Sequence, residues 1–294
     1  MKTWTRALLF LLVGSCAEVT DAGSEADEVT EGATNQDELD PSVPVLAIEN
    51  GVSVRGAGRN QQWEGIVMTM QSVGSGMGYC SASFITGRHL ITAAHCYGRD
   101  GSQRVSVRAP TWNGGTGWQV FERAVVKRAS TNNSIDIAVV DLGTAPAWAT
   151  PQRRFLLNAG PATPTELHVY GYGALNEQGQ GSGGQLRAAP GGATVSVTNG
   201  GGYLFSTARV ARVCSGDSGG PALREGTAAV LWGINQSFAV SRLRALVDRQ
   251  PICPESGARM QFTNVSANLG FIEQALGTRC KRVQVDGQQA AQCW

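Results

Sequence analysis

The chain has 294 residues, enough for one large domain or two ordinary ones with a buried core. With 38 Gly, 42% hydrophobic residues and 16% charged ones, the composition describes a loop-rich globular protein and excludes collagen, coiled coil and a wholly disordered chain. The net charge of +1 speaks against a nucleic-acid binder, yet it averages two unlike parts: residues 1–47 hold 2 basic and 9 acidic residues, leaving a net of +8 in 48–294, which reads as a solvated basic face.

Met1–Cys16 reads MKTWTRALLFLLVGSC. Two positive charges precede the short apolar run Ala7–Val13, and small residues follow, which is the pattern of a secretory signal. No other stretch approaches the roughly 20 apolar residues of a membrane-spanning helix. Val13-Gly14-Ser15-Cys16 resembles the processing box of bacterial lipoproteins, in which the Cys becomes an acylated first residue. The expectation is a signal over 1–15 and lipidation at Cys16, giving an exported protein anchored to a bacterial membrane or cell surface without spanning it. The other reading is an ordinary signal cut nearby, with Cys16 incidental.

Residues 16–47 are acidic and carry only isolated apolar side chains, too few to offset the entropy of ordering. They read as a flexible tether or propeptide. Folded sequence begins near Ile48. Beyond it, short β-prone runs alternate with Gly-rich turns, as at Tyr79–Thr86, Leu90–Ala94, Val105–Val107, Val120–Val126, Ile135–Val140 and Ala193–Val197. Gly74-Ser75-Gly76-Met77-Gly78 lacks the spacing of a dinucleotide site and reads as a loop. Asn268–Leu276 is the helical stretch, and Val283–Gln288 reads as a strand entering an Asp-Gly turn.

Seven Cys occur, at 16, 80, 96, 214, 253, 280 and 293. With Cys16 lipidated, six remain, an even number that suggests three disulfides among 15 connectivities. No Cys/His cluster has metal-ligand spacing, so neither a metal nor a cofactor is implied. The residues that carry chemistry lie in three segments: Thr92-Ala93-Ala94-His95-Cys96, Asp136-Ile137-Ala138-Val139 and Cys214-Ser215-Gly216-Asp217-Ser218-Gly219-Gly220-Pro221. An Asp amid Ile and Val is informative by itself, because burying a carboxylate costs several kcal/mol unless it is paired or hydrogen-bonded.

Together these segments resemble the chymotrypsin/trypsin family of serine proteases, and the order His, Asp, Ser differs from that of subtilisin or the α/β-hydrolases. The resemblance covers roughly residues 48–277 and implies an all-β fold of two antiparallel six-stranded barrels with a short C-terminal helix, a protease domain over 48–278 and a tail over 279–294. It assigns Ser218 as nucleophile, His95 as base and Asp136 as the group that orients the imidazole, with Asp141 a weaker rival. The N–H groups of Gly216 and Ser218 would form the oxyanion hole. In the family the Asp before the nucleophile pairs with an α-amine freed by proteolysis, which here means Asp217, cleavage after Ala47 and a new start at Ile48. Ala47 is not a residue trypsin recognises, so the activator accepts small residues or the enzyme processes itself.

The likeness further implies Cys80–Cys96, closing a loop of about 15 residues worth roughly 3 kcal/mol, and Cys214–Cys253, which leaves Cys280 with Cys293 across a stapled hairpin. Val169-Tyr170-Gly171-Tyr172-Gly173 resembles the Gly-Trp-Gly segment that opens the second barrel. Arg212 stands six residues before Ser218, where trypsin-like members carry Asp, so cleavage after Lys or Arg is not expected. Either Arg212 pairs with an acidic substrate side chain, or it turns outward while Val213 and Met260 narrow the pocket for small apolar residues. Leu231–Gln236 offers two registers for the pocket wall, and Ser237–Pro251 reads as an insertion. His89 and His168 read as structural or exposed. The function implied is a serine endopeptidase acting on polypeptide; the alternative is a protease-fold binding protein without activity. Nothing in the sequence speaks to oligomeric state.

Overall fold

The structure is a computed structural model and describes residues 52–53, 61–73, 76–108, 118–129, 135–161, 165–174, 186–188, 193–197, 202–207, 213–238, 253 and 259–294. Cys16, Ile48 and Arg212, with the signal and acidic segments, lie outside the described residues.

After the two-residue strand β1 (Val52–Ser53), the first barrel uses β2 (Ile66–Val73), β3 (Gly76–Phe84), β4 (His89–Thr92), β5 (Gly101–Arg108), β6 (Gln119–Arg128) and β7 (Ala138–Asp141). These close in the order β2–β3–β4–β7–β6–β5, every neighbouring pair antiparallel. Gly76–Gly78, expected as loop, belongs to β3, because Val73 already pairs with Gly76 and ladder bonds need no side chain. Strand alternation explains the inward set on most strands, but on β6 the buried residues Phe121 and Ala124 are three apart. A bulge accounts for it: Gln103 faces Ala124 and Val105 faces Phe121, so β6 carries one extra residue and both side chains still enter the core.

The chain continues through β8 (Leu156–Asn158), β9 (Thr165–Gly171), β10 (Arg187–Ala188), β11 (Ala193–Val197), β12 (Tyr203–Thr207), β13 (Pro221–Arg224), β14 (Val230–Phe238) and β15 (Arg259–Asn264). Strands β9–β11–β12–β15–β14–β13 return to β9 through antiparallel pairs, forming the second six-stranded barrel. Its interior holds Leu167, Val169, Leu204, Val230, Trp232 and Phe262, among others.

Helix α1 (Leu269–Leu276) buries Leu269, Ile272 and Ala275, one face at helical spacing. Gly277, at φ +72°, ends it, with Gly277 N–H donating to Gln274 O and Thr278 N–H to Glu273 O. The C-terminal hairpin, β16 (Lys281–Val285) and β17 (Gln288–Gln292), turns at Asp286-Gly287, both with positive φ. It is the outer continuation of the second sheet: Ala290 and Ala291 pair with Asn158 and Leu157 of β8, which runs parallel to β14. The Cys280–Cys293 disulfide closes its base, and Asp286 accepts the Thr227 N–H and hydroxyl, holding its tip to the β13–β14 turn.

Candidate active site

Strand β4 is buried along its whole length and delivers His95. Beyond Thr92 the backbone stays extended at Ala93 and then enters a single 3₁₀ turn, Ala94–Cys96. Ala94 and Cys96 are buried, while the His95 side chain is 23% exposed. Cys96 bonds to Cys80 of β3, tying this turn to the barrel wall. Asp136 comes from the segment before β7. Residues 135–137, expected as strand, stay outside the ladder because Asp136 makes other bonds. Its Oδ1 accepts the His95 N–H at 2.8 Å and its Oδ2 lies 2.6 Å from His95 Nδ1. Its carbonyl accepts the Thr263 hydroxyl of β15 at 2.7 Å, a bond from the second barrel. A carboxylate is acceptor-only, so Nδ1 carries the proton and Nε2 keeps a lone pair.

Ser218 sits on a turn that glycines make possible. Gly216 has φ +93° and Gly219 φ +80°. A Cβ on Gly219 would lie 2.0 Å from Thr92 Oγ1 and 2.3 Å from Ser81 O, so the loop rests directly on β3 and β4. Ser81 N–H donates to Ser218 O at 2.8 Å, and Cys96 Sγ lies 3.9 Å from the same oxygen. The Ser218 loop and the His95 turn therefore share one wall. No hydrogen bond joins Ser218 Oγ to His95 Nε2, as is common before substrate binds. Among the described residues the N–H groups of Gly216 and Ser218 donate to no protein acceptor, whereas those of Asp217, Gly219 and Gly220 are all bonded. Two unused donors beside a partly exposed hydroxyl, and an imidazole with a fixed tautomer, are the parts that acyl transfer requires.

Asp217 points the other way, fully buried. It accepts the Gly173 N–H and the Cys214 N–H, both at 2.8 Å. Burial still raises its pKa from 3.8 to about 7, against the pull of those two bonds. A Cβ at Gly171 or Gly173 would overlap this carboxyl, which gives Tyr170-Gly171-Tyr172-Gly173 its physical meaning as a cradle for Asp217.

The structure joins Cys214 to Cys253, and packs Val213 and Met260 into one buried cluster. It also selects between the two registers of the pocket wall. Trp232 is 2% exposed inside the second barrel with its Nε1 on Gln288, whereas Asn235 exchanges backbone bonds with Gly219 and Gly220. The stretch beside the nucleophile is therefore Asn235–Phe238, which remains strand where an insertion was expected to begin at Ser237. A bulge at Gln236 places that buried side chain against Gln261. Asp141 is not beside His95: it takes Gly143 N–H, Arg88 Nε and His89 Nε2. Desolvation lowers the pKa of the buried His89, whose Nδ1 meets Thr86 Oγ1. His168 lies 3.7 Å from Glu225. Cys80, His95 and Cys96 group their donor atoms closely, but both sulfurs are engaged in the disulfide.

Sequence reasoning missed Ser81, Thr263, Gln236 and the Thr92 hydroxyl. Each acts through a partner distant in sequence; Thr92 and Gln236 lie in segments singled out above, but nothing in those segments marks what their side chains hold. The family model described as Trypsin matches residues 54–242, a span that contains His95, Asp136 and Ser218. No curated protein matches the chain.

Proposed function

This chain belongs to the trypsin family of serine proteases, and from that premise we propose that it is an active serine endopeptidase working through an acyl-enzyme. Ser218 Oγ attacks the scissile carbonyl while His95 Nε2 takes its proton and then delivers it to the leaving amine. Asp136 keeps the imidazole in the required tautomer and stabilises the imidazolium without taking the proton. The N–H groups of Gly216 and Ser218 receive the oxyanion; losing one such donor costs about 10²–10³ in rate. The observation that carries this reading is the His95–Asp136 pair at 2.6 Å, on the wall against which the Ser218 turn is bonded.

The family and the three disulfides fit an exported protein. Three finer points belong to the proposal: lipidation of Cys16, cleavage after Ala47 so that the Ile48 amine pairs with Asp217, and a primary specificity unlike that of trypsin. Arg212 supports the last, since it stands in sequence where trypsin-like members carry the Asp that pairs with Lys and Arg. It leaves an acidic residue, or a small apolar one against Val213 and Met260, as the side chain before the cut.

The test is reaction with a fluorophosphonate probe of chains beginning at Cys16 and at Ile48, beside Ser218→Ala. Labelling of Ser218 only in the chain beginning at Ile48 is expected. Equal labelling of both discards the Ile48–Asp217 pair and keeps the protease. No labelling of either folded protein overturns the enzymatic reading in favour of a binding protein with this fold. Peptide libraries then read the specificity.

A further inference from the structure

Ser81 lies on β3 in the first barrel, fully buried, and all its polar groups are used. Its N–H donates to Ser218 O at 2.8 Å and its carbonyl accepts the Thr92 hydroxyl at 2.8 Å. Its Oγ accepts the Tyr172 N–H at 3.0 Å and lies 3.0 Å from Gly216 O. A hydroxyl has one proton. Tyr172 N–H is a donor and Gly216 O an acceptor, so the Ser81 proton is directed onto Gly216 O. The side chain thus clips the nucleophile turn to the neck of the second barrel, which is formed by strand β9 and the residues after it.

We infer that Ser81 is a positioning residue that aims the Gly216 N–H of the oxyanion hole, an inference that rests on the enzymatic reading above. The peptide between Gly216 and Asp217 is held at both ends. Ser81 Oγ donates to its oxygen, and its N–H, that of Asp217, donates to Cys214 O at 3.0 Å. Gly216 sits at φ +93° between this pinned peptide and the one whose N–H faces the substrate. Glycine has no Cβ to confine it, so other φ,ψ values are open to it at little steric cost. The clip supplies the restraint that a side chain would otherwise provide. Without it the Gly216–Asp217 peptide keeps only the Asp217 N–H bond to Cys214 O, and the neighbouring peptide only the Ala174 N–H donated to Ser215 O at 2.7 Å, so the aim of the Gly216 N–H loosens. Binding of substrate elsewhere in the cleft does not depend on this hydroxyl, so the loss falls on the transition state.

The experiment compares the chain beginning at Ile48 with Ser81→Ala, Ser81→Thr and Thr69→Val, using a cleaved peptide substrate and counting sites by complete fluorophosphonate labelling. Thr69 is buried on β2 and its hydroxyl donates to Cys80 O at 3.3 Å, so Thr69→Val removes a buried bond to the residue next to Ser81 while leaving the clip intact. Ser81→Ala is expected to lower kcat per site roughly 10- to 100-fold, part of the loss of a whole oxyanion donor, with KM unchanged. Ser81→Thr, which keeps a hydroxyl, restores kcat, and Thr69→Val lowers Tm without lowering kcat. If Ser81→Ala does not fold, Ser81→Gly carries the same comparison. Wild-type kcat in the variant lacking the hydroxyl overturns the inference, as does an equal loss in Thr69→Val. A wild-type chain that neither labels nor cleaves overturns the enzymatic reading itself, and that result is visible before any variant is compared.

Discussion

Asp217 offers a test that needs no substrate. Its carboxyl has a pKa of about 7 in the folded chain against an ordinary 3.8, and the cause is burial. A group whose folded pKa lies above its unfolded one contributes stability that is fully present below the unfolded value and is lost as pH rises through the folded value. The window for Asp217 therefore runs from about pH 4 to about pH 7, and at 1.36 kcal/mol per pH unit the loss across it is roughly 4 kcal/mol. An α-amine beside the carboxylate changes the balance, because an opposite charge in contact favours the ionised form. The measurement is urea unfolding in a Ser218→Ala background, which prevents self-digestion, at several pH values across about pH 4 to about pH 8. Asp217→Asn serves as reference: it is neutral throughout, so the other titrating groups cancel in the difference. In the chain that retains residues before Ile48, Asp217 is expected to lose roughly 4 kcal/mol relative to Asn between the two ends of that range. In the chain beginning at Ile48 that loss disappears. A flat difference in the longer chain refutes the unpaired buried carboxyl, and an equal fall in both chains refutes the pairing with Ile48.

Asp136→Asn presents an amide to His95 Nδ1 and favours the wrong tautomer, so kcat is expected to fall about 10⁴-fold with the fold intact by circular dichroism. Gly219→Ala forces a Cβ against Thr92 Oγ1 and Ser81 O at a positive φ; a loss of about 2 kcal/mol or more in urea unfolding, with loss of probe labelling, is expected. Replacing Cys280 and Cys293 together by Ser opens a loop of sequence separation 13. That costs about 3 kcal/mol in the chain-entropy estimate, while kcat per labelled site holds, because the hairpin meets the rest of the sheet through β8 and the β13–β14 turn. A fall in kcat as large as the fall in stability contradicts that separation.

The strands were legible because β-prone runs and Gly-rich turns are local signals, and so was the hairpin turn at Asp286-Gly287, whereas the closure into two barrels came from the family resemblance of the motif segments. Local signals misjudge a segment when a distant partner takes its backbone. Residues 135–137 look like strand by composition, but Asp136 turns its carbonyl to Thr263 and its carboxylate to His95. Gly76–Gly78 looks like loop by composition, yet the ladder with β2 extends through it. The hairpin's attachment to β8 was equally invisible, since pairing between Ala290 and Asn158 is decided by the assembled sheet and not by either segment alone.

The motif residues themselves explain only part of the site. His95, Asp136 and the Ser218 turn come from segments far apart in the chain, and no motif states how they are held together. Of the bonds that hold them, Thr263 to Asp136 and Ser81 to Gly216 and Ser218 run between barrels, while Asn235 ties the turn within the second barrel through the carbonyls of Tyr170 and Asp217. Each joins a donor of one element to a backbone carbonyl of another, and any residue type offers that carbonyl. Sequence therefore marks where chemistry resides more clearly than what aims it. A glycine-rich turn makes the asymmetry sharper, because the freedom that lets Gly216 and Gly219 adopt positive φ also leaves their peptide planes to be fixed from outside. In this chain the first barrel contributes to that fixing through β3, where Ser81, 135 positions earlier, donates its hydroxyl to Gly216 O.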